Sequence, residues 1–210
     1  MSKIDLKKEL KDLYEVSHKE PAIVRVPALR YIMADGEGDP NTAAAYKEAV
    51  EALFTLSYTI KFMLKKGSAQ VDYGVMPLQG LWWTEDMAQF SIKNKNNWKW
   101  TAMILQPDHI TREIFEAGAE LAKKKKPLPA LPELRLETFE EGLCAQILHM
   151  GPYAAEAPTI EKLHRFIKEN DCELTGKHHE IYMSDVRKTA PDKLKTILRQ
   201  PMKPAAKAPG

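Results

Sequence analysis

The stretch "DPNTAAAYKEAVEALFTLSYTIKFMLKKG", residues 39–67, decides the fold class. Tyr46, Ala49, Val50, Leu53, Phe54 and Ser57 recur at helical spacing, so the segment reads as an amphipathic helix. Asp39 or Asn41 can cap its start, and Gly67 suits its end. The residues before it, "AIVRVPALRYIMADGEG" (22–38), are β-rich, broken at Pro27 and closed by Gly36 and Gly38. Two more strand-like segments follow, "VDYGVMPLQGLWW" (71–83) and "NNWKWTAMILQPD" (96–108), the latter stopped by Pro107. The order is β-α-β-β, the signature of an α+β unit.

The same order then returns. "DHITREIFEAGAELAKKKK" (108–126) carries Ile110, Ile114, Ala117 and Leu121 at helical spacing, and its four terminal lysines suit the negative end of the helix dipole. They read as a solvated helix end rather than a nucleic-acid patch. "PLPALP" (127–132) is a stiff linker, because each proline fixes its own φ. Beyond it, "LRLETFEEGLCAQILHMGPY" (134–153) is strand-like, "APTIEKLHRFIKEN" (157–170) is a helix with Ile160, Leu163, Phe166 and Ile167 on one face, and "KHHEIYMSD" and "LKTILRQPM" are strands. "AMILQPD" overlays "TILRQPM", and "YGVMP" overlays "HEIYM", so a duplicated unit is expected, with a small-molecule site where two such units meet. The expected divisions are a lead-in at 1–20, a first module at about 21–107, a connecting helix and linker at 108–133, a second module at 134–202 and a disordered tail at 203–210.

Composition narrows the function classes. With 210 residues and 44% hydrophobic content the chain can bury a sizeable core. A formal charge of +2, from 31 basic and 29 acidic residues, gives no global field for nucleic acid or an anionic membrane, so neither partner is expected. Cys144 and Cys172 are too few for a disulfide framework or a thiolate metal site. No signal peptide or apolar run of about 18 residues occurs, and the cytoplasm is the expected location.

The chemistry concentrates in two places. All four tryptophans, Trp82, Trp83, Trp98 and Trp100, lie between positions 82 and 100. The two rings of "WKW" share one face of an extended segment, and they either pack a core or wall a flat cage for a planar or cationic ligand. The second place is "GKHHEIYMSD" (176–185), where His179, Ile181 and Met183 take one face of a strand and Glu180, Tyr182 and Ser184 the other. A carboxylate in an apolar pocket is a usable general base or a counter-ion, and Tyr182 beside it is a hydrogen-bond donor to a developing oxyanion. Tyr73 and Tyr153 are further candidates. "HHEIYM" is not a metalloprotease motif, because Met183 stands where the second histidine would be and His178 and His179 point to opposite faces. Cys144 and His149 likewise fall on opposite faces and make no nucleophile pair. No phosphate-binding glycine loop is present, and neither metal nor other cofactor is expected.

The set "YGVMPLQGLWW", "WKWTAMILQPDHIT", "GPY", "HHEIYMSD" and "LKTILRQPM" resembles the GyrI-like small-molecule-binding family, in particular its stand-alone bacterial members, among which cyclopropanoid cyclopropyl hydrolases are found. That resemblance implies duplicated β-α-β-β modules related by a pseudo-twofold, with antiparallel sheets, helices on one side and a ligand groove between the modules. It implies a central glutamate, matched here by Glu180. It further implies a xenobiotic small-molecule partner, with Trp82, Trp83, Trp98, Trp100, Tyr73, Tyr153 and Met76 as ligand-binding residues and Glu180 and Tyr182 as catalytic ones. Monomer and homodimer are both left open.

Overall fold

The computed structural model describes residues 3–68, 70–85, 95 and 97–206. Along the chain these form α1 (Leu6–Glu9), α2 (Lys11–Tyr14), β1 (Ala22–Val26), β2 (Leu29–Glu37), α3 (Ala44–Lys66), β3 (Leu78–Trp83), β4 (Lys99–Leu105), α4 (Arg112–Lys125), β5 (Arg135–Phe139), β6 (Gly142–Met150), α5 (Ala157–Glu169), β7 (Cys172–Leu174), β8 (His178–Tyr182) and β9 (Lys195–Pro204). The fold is α+β with antiparallel strand pairing, in two compact units.

The first unit comprises residues 1–11 and 29–139. Its strands run in the order β5, β2, β4, β3, all antiparallel. α3 covers β2 and β4 and buries Ala49, Ala52, Leu53, Leu56 and Ile60. This is the face that the sequence predicts, but the cap differs. Helix α3 starts after Ala43 with no side-chain cap, because Asp39 is spent on its own turn, its Oδ1 accepting from the Asn41 amide at 2.9 Å. Gly67 closes the helix as expected, donating its N–H to the Met63 carbonyl.

α4 departs further from its apolar pattern. It begins at Thr111, whose hydroxyl accepts from the Ile114 amide, so Ile110 lies outside it. Its buried residues are Gly118 and Ala122, while Leu121 is exposed. Small residues win because α4 lies close on α3: a methyl group on Gly118 would sit 2.4 Å from Cγ1 of Ile60. Lys123, Lys124 and Lys125 are exposed on its last turn, and Lys126 pairs with Glu51.

The second unit comprises residues 12–28 and 140–210. Its strand order is β1, β6, β9, β8, again antiparallel, with β7 added along the end of β9. α5 places Leu163 and Ile167 against Ala145, Ile147, Leu198 and Met202. The stretch 134–153 thus resolves into two strands with different partners: β5 pairs with β2, while β6 pairs with β1 and β9. A boundary drawn at 107 or 134 does not follow this pairing. β9 runs to Pro204 and the Ala205 amide bonds the Asp171 carbonyl, so the segment from 203 is ordered that far; residues 207–210 lie outside the described residues.

No helix among the described residues is long and apolar enough to cross a membrane.

Candidate functional site

In the second unit, strand alternation on β8 puts His178, Glu180 and Tyr182 on one face, with His179 and Ile181 on the other. Glu180 is 8% exposed. The Tyr182 hydroxyl donates to Glu180 Oε2 at 2.7 Å, and His178 Nε2 lies 3.5 Å from Oε1. Tyr153, in the short 3-10 turn Tyr153–Ala155, stacks edge-on against Tyr182 with ring centroids 5.5 Å apart. Burial, with Glu156 and Glu180 nearby, pushes the Tyr153 hydroxyl up to about 12, so it stays a protonated donor at neutral pH. His164 on α5 is held down at about 4 by burial first, then by His178 and Lys168. It is neutral near pH 7, and its buried Nε2 has no hydrogen-bond partner among the described residues.

On the opposite face of β8, His179 meets a second acid, Glu141, from the turn between β5 and β6. Glu141 accepts from His179 Nδ1 at 2.9 Å on one oxygen and from the Arg199 guanidinium at 3.2 Å on the other. Arg199 also donates twice to Gln146 Oε1, at 3.0 and 3.1 Å, and once to the Leu13 carbonyl at 3.0 Å. All three charged or titratable side chains of this cluster are at most 2% exposed. Burial alone would raise the Glu141 carboxyl, but His179 and Arg199 outweigh it and hold it well below the usual carboxylate range. Burial lowers His179, and Glu141 opposes that shift. Gln146 in turn donates to the Asp12 carbonyl at 2.7 Å, so this cluster ties residues 12–13 onto the sheet.

The first unit holds the aromatic residues. Trp82 on β3 and Trp100 on β4 are cross-strand partners. Tyr46, from the first turn of α3, lies on both, with ring centroids 5.5 and 5.0 Å away. Trp98 packs against Trp82 at 5.4 Å, and Lys95 Nζ sits 4.7 Å over the Trp98 ring. Glycine makes this packing possible. A methyl group on Gly36 would sit 2.2 Å from Cζ2 of Trp100, and one on Gly80 would sit 2.7 Å from Nε1 of Trp82. Trp83, next along β3, is half-buried. Tyr73 and Met76 precede β3 and are buried. The Tyr73 ring meets His109 edge-on at 5.7 Å, and burial pushes its hydroxyl upward.

Residues 19–203 match the model of the GyrI-like small molecule binding domain. The chain belongs to this family. Three solved structures from Listeria innocua are similar to this GyrI-like protein over 96% of its chain and 100% of theirs. An uncharacterized conserved protein shares 42% identity with a TM-score of 0.89, one protein named a hydrolase shares 40% at 0.87, and another shares 39% at 0.84. No curated protein gives a significant match.

Of the candidates named from sequence, Glu180, Tyr182 and Tyr153 come together in one unit of this GyrI-like chain, and Trp82, Trp98 and Trp100 in the other. Four residues of these surroundings escaped the sequence reading as site candidates: His178, His164, Tyr46 and Glu141. His178 carried the available signal, since it shares the strand face of Glu180 at a spacing of two. Burial pushes the Cys144 thiol up to about 12, while His149 bonds the Thr159 hydroxyl at 2.9 Å. Among the described residues no cluster of His, Cys, Asp or Glu suits a metal ion.

Proposed function

We propose that this protein binds planar, lipophilic xenobiotics and hydrolyses the cyclopropane ring of DNA-alkylating cyclopropanoid compounds, with Glu180 as the group that activates water. The observation that carries the reading is the buried Glu180 carboxylate, bonded at 2.7 Å by Tyr182 and flanked by Tyr153. It is supported by the hydrolase names of two structures about 40% identical to this chain.

Tyr182 spends its proton on Glu180, which leaves the substrate oxygen to Tyr153. In the reaction, Glu180 takes a proton from water as the water oxygen bonds a cyclopropane carbon. The strained C–C bond breaks, and its electron pair passes into the conjugated dienone, whose oxygen becomes a phenolate. The Tyr153 hydroxyl hydrogen-bonds that oxygen as charge develops. The proton on Glu180 returns to the phenolate or to solvent, so one water is added overall. Relief of ring strain and aromatisation drive the step, and positioning plus one base and one donor suffice. Trp82, Trp83, Trp98, Trp100, Tyr73 and Met76 are proposed to bind ligand through flat or soft apolar surface.

The test is incubation with a cyclopropane-dienone alkylator followed by mass spectrometry of the small molecule. Gain of one water with the wild type, slowed at least 100-fold in Glu180→Gln and Tyr153→Phe, supports the reading. Recovery of intact compound from a saturable complex would make the protein a non-catalytic drug-binding or drug-sensing protein, with Glu180 as anchor.

A further inference from the structure

Trp82 and Trp100 are 2% and 1% exposed. Neither indole Nε1–H has a hydrogen-bond partner among the described residues. A buried indole N–H ordinarily finds an acceptor, and two neighbouring ones left unspent call for an explanation, a functional role among them. The packing that strands these donors is specific. Gly36 and Gly80 lack side chains where the rings lie, so Trp100 rests over β2 and Trp82 over its own strand. Tyr46 covers both rings from a helix start that has no side-chain cap.

A second observation bears on the charge of the ligand. The N–H edge of an indole is the positive rim of its quadrupole, so it attracts electron-rich atoms and repels cations. Cations are instead bound by ring faces, and the face of Trp98 already carries Lys95 Nζ at 4.7 Å. The unit's own ammonium thus occupies one cation-binding face and opposes a second positive charge nearby.

We infer that the Trp82 and Trp100 indole N–H groups are ligand-recognition donors, and that the cluster selects planar molecules bearing carbonyl-type acceptors over lipophilic cations. This deepens the small-molecule reading above and rests on it.

The test pairs two probes of one skeleton, 1-methyl-2-quinolone, which presents a carbonyl, and the 1-methylquinolinium cation. Binding is followed by 1H–15N spectra of the tryptophan indoles, assigned with Trp82→Phe and Trp100→Phe. The quinolone is expected to bind at least tenfold tighter, a difference of about 1.4 kcal/mol, and to move the two N–H resonances downfield. Trp82→3-benzothienylalanine, which keeps the ring shape and removes the N–H, is expected to weaken the quinolone about tenfold while the rest of the spectrum is unchanged. Lys95→Met should improve only the cation. Equal or tighter binding of the quinolinium overturns the inference. So do N–H resonances that stay put at saturation, or no saturable binding of either probe. A quinolone response confined to Tyr153 and Tyr182 overturns the inference yet leaves the small-molecule reading standing, since turnover of the cyclopropane-dienone decides that reading separately.

Discussion

Two buried glutamates lie by opposite faces of β8, Glu180 on the strand itself and Glu141 in the turn between β5 and β6, and their partners differ in kind. Glu141 has each oxygen committed, one to His179 and one to an arginine that also donates to Gln146 and the Leu13 carbonyl. Glu180 is contacted by the phenol of Tyr182 and the imidazole of His178 on the same strand face. A carboxylate locked to a buried guanidinium is poorly placed to accept a proton, because doing so strands the positive charge. A phenol that donates to a carboxylate fixes its orientation without adding a positive charge beside it. Both acids are buried, but Glu141 faces a buried guanidinium, whereas Glu180, the acid proposed to do the chemistry, is met by Tyr182 and His178.

The contrast breaks most visibly at Arg199. Arg199→Met is expected to cost about 3–5 kcal/mol of stability, measured by urea denaturation, because it leaves Glu141 buried without its cation. The double variant Glu141→Leu with Arg199→Met should recover much of that loss; if the two effects simply add, the cluster is not coupled. Next in size is the aromatic unit. Gly36→Ala forces a methyl group against Trp100 and is expected to cost about 1–3 kcal/mol, with altered tryptophan fluorescence; unchanged stability would mean that the ring is free to move.

The smaller effect is on pH dependence. Folded His164 takes a proton only near pH 4, whereas an unfolded imidazole does so near about 6.5. The unfolded state therefore binds the proton first, and stability is lost as pH falls through that window. Glu141, held below its ordinary value, adds a further loss at lower pH. Thermal midpoints should fall from pH 6.5 to 4 in the wild type and less so in His164→Gln. An equal fall in both would assign the loss to another group.

The legible part of the molecule is what local pattern encodes. Period-3.6 spacing marked α3 and α5, alternation put Glu180 and Tyr182 on one face of β8, and Pro107 ended the stretch that contains β4. Partner choice was not legible. β5 and β6 lie in one continuous strand-like stretch, yet β5 pairs with β2 and β6 with β1, because pairing is decided by the opposing strand rather than by local propensity. Glu141 lies in "TFEEGL", within the stretch that reads as strand-like, and its partner Arg199 is 58 residues further on in β9, a pairing that no local pattern signals. α4 misled for a steric reason: close approach to α3 selected Gly118 and Ala122 and left Leu121 outside.

The measurement that bears most directly on the central claim is stability and turnover of Glu180→Gln, taken side by side with Glu141→Gln on the cyclopropane-dienone substrate. Glu180→Gln should keep stability within roughly 1 kcal/mol, since the amide oxygen still accepts from Tyr182, and lose ring opening. Glu141→Gln should lose stability, and its folded fraction should still open the ring. Full turnover by Glu180→Gln would contradict the assignment of the chemical acid.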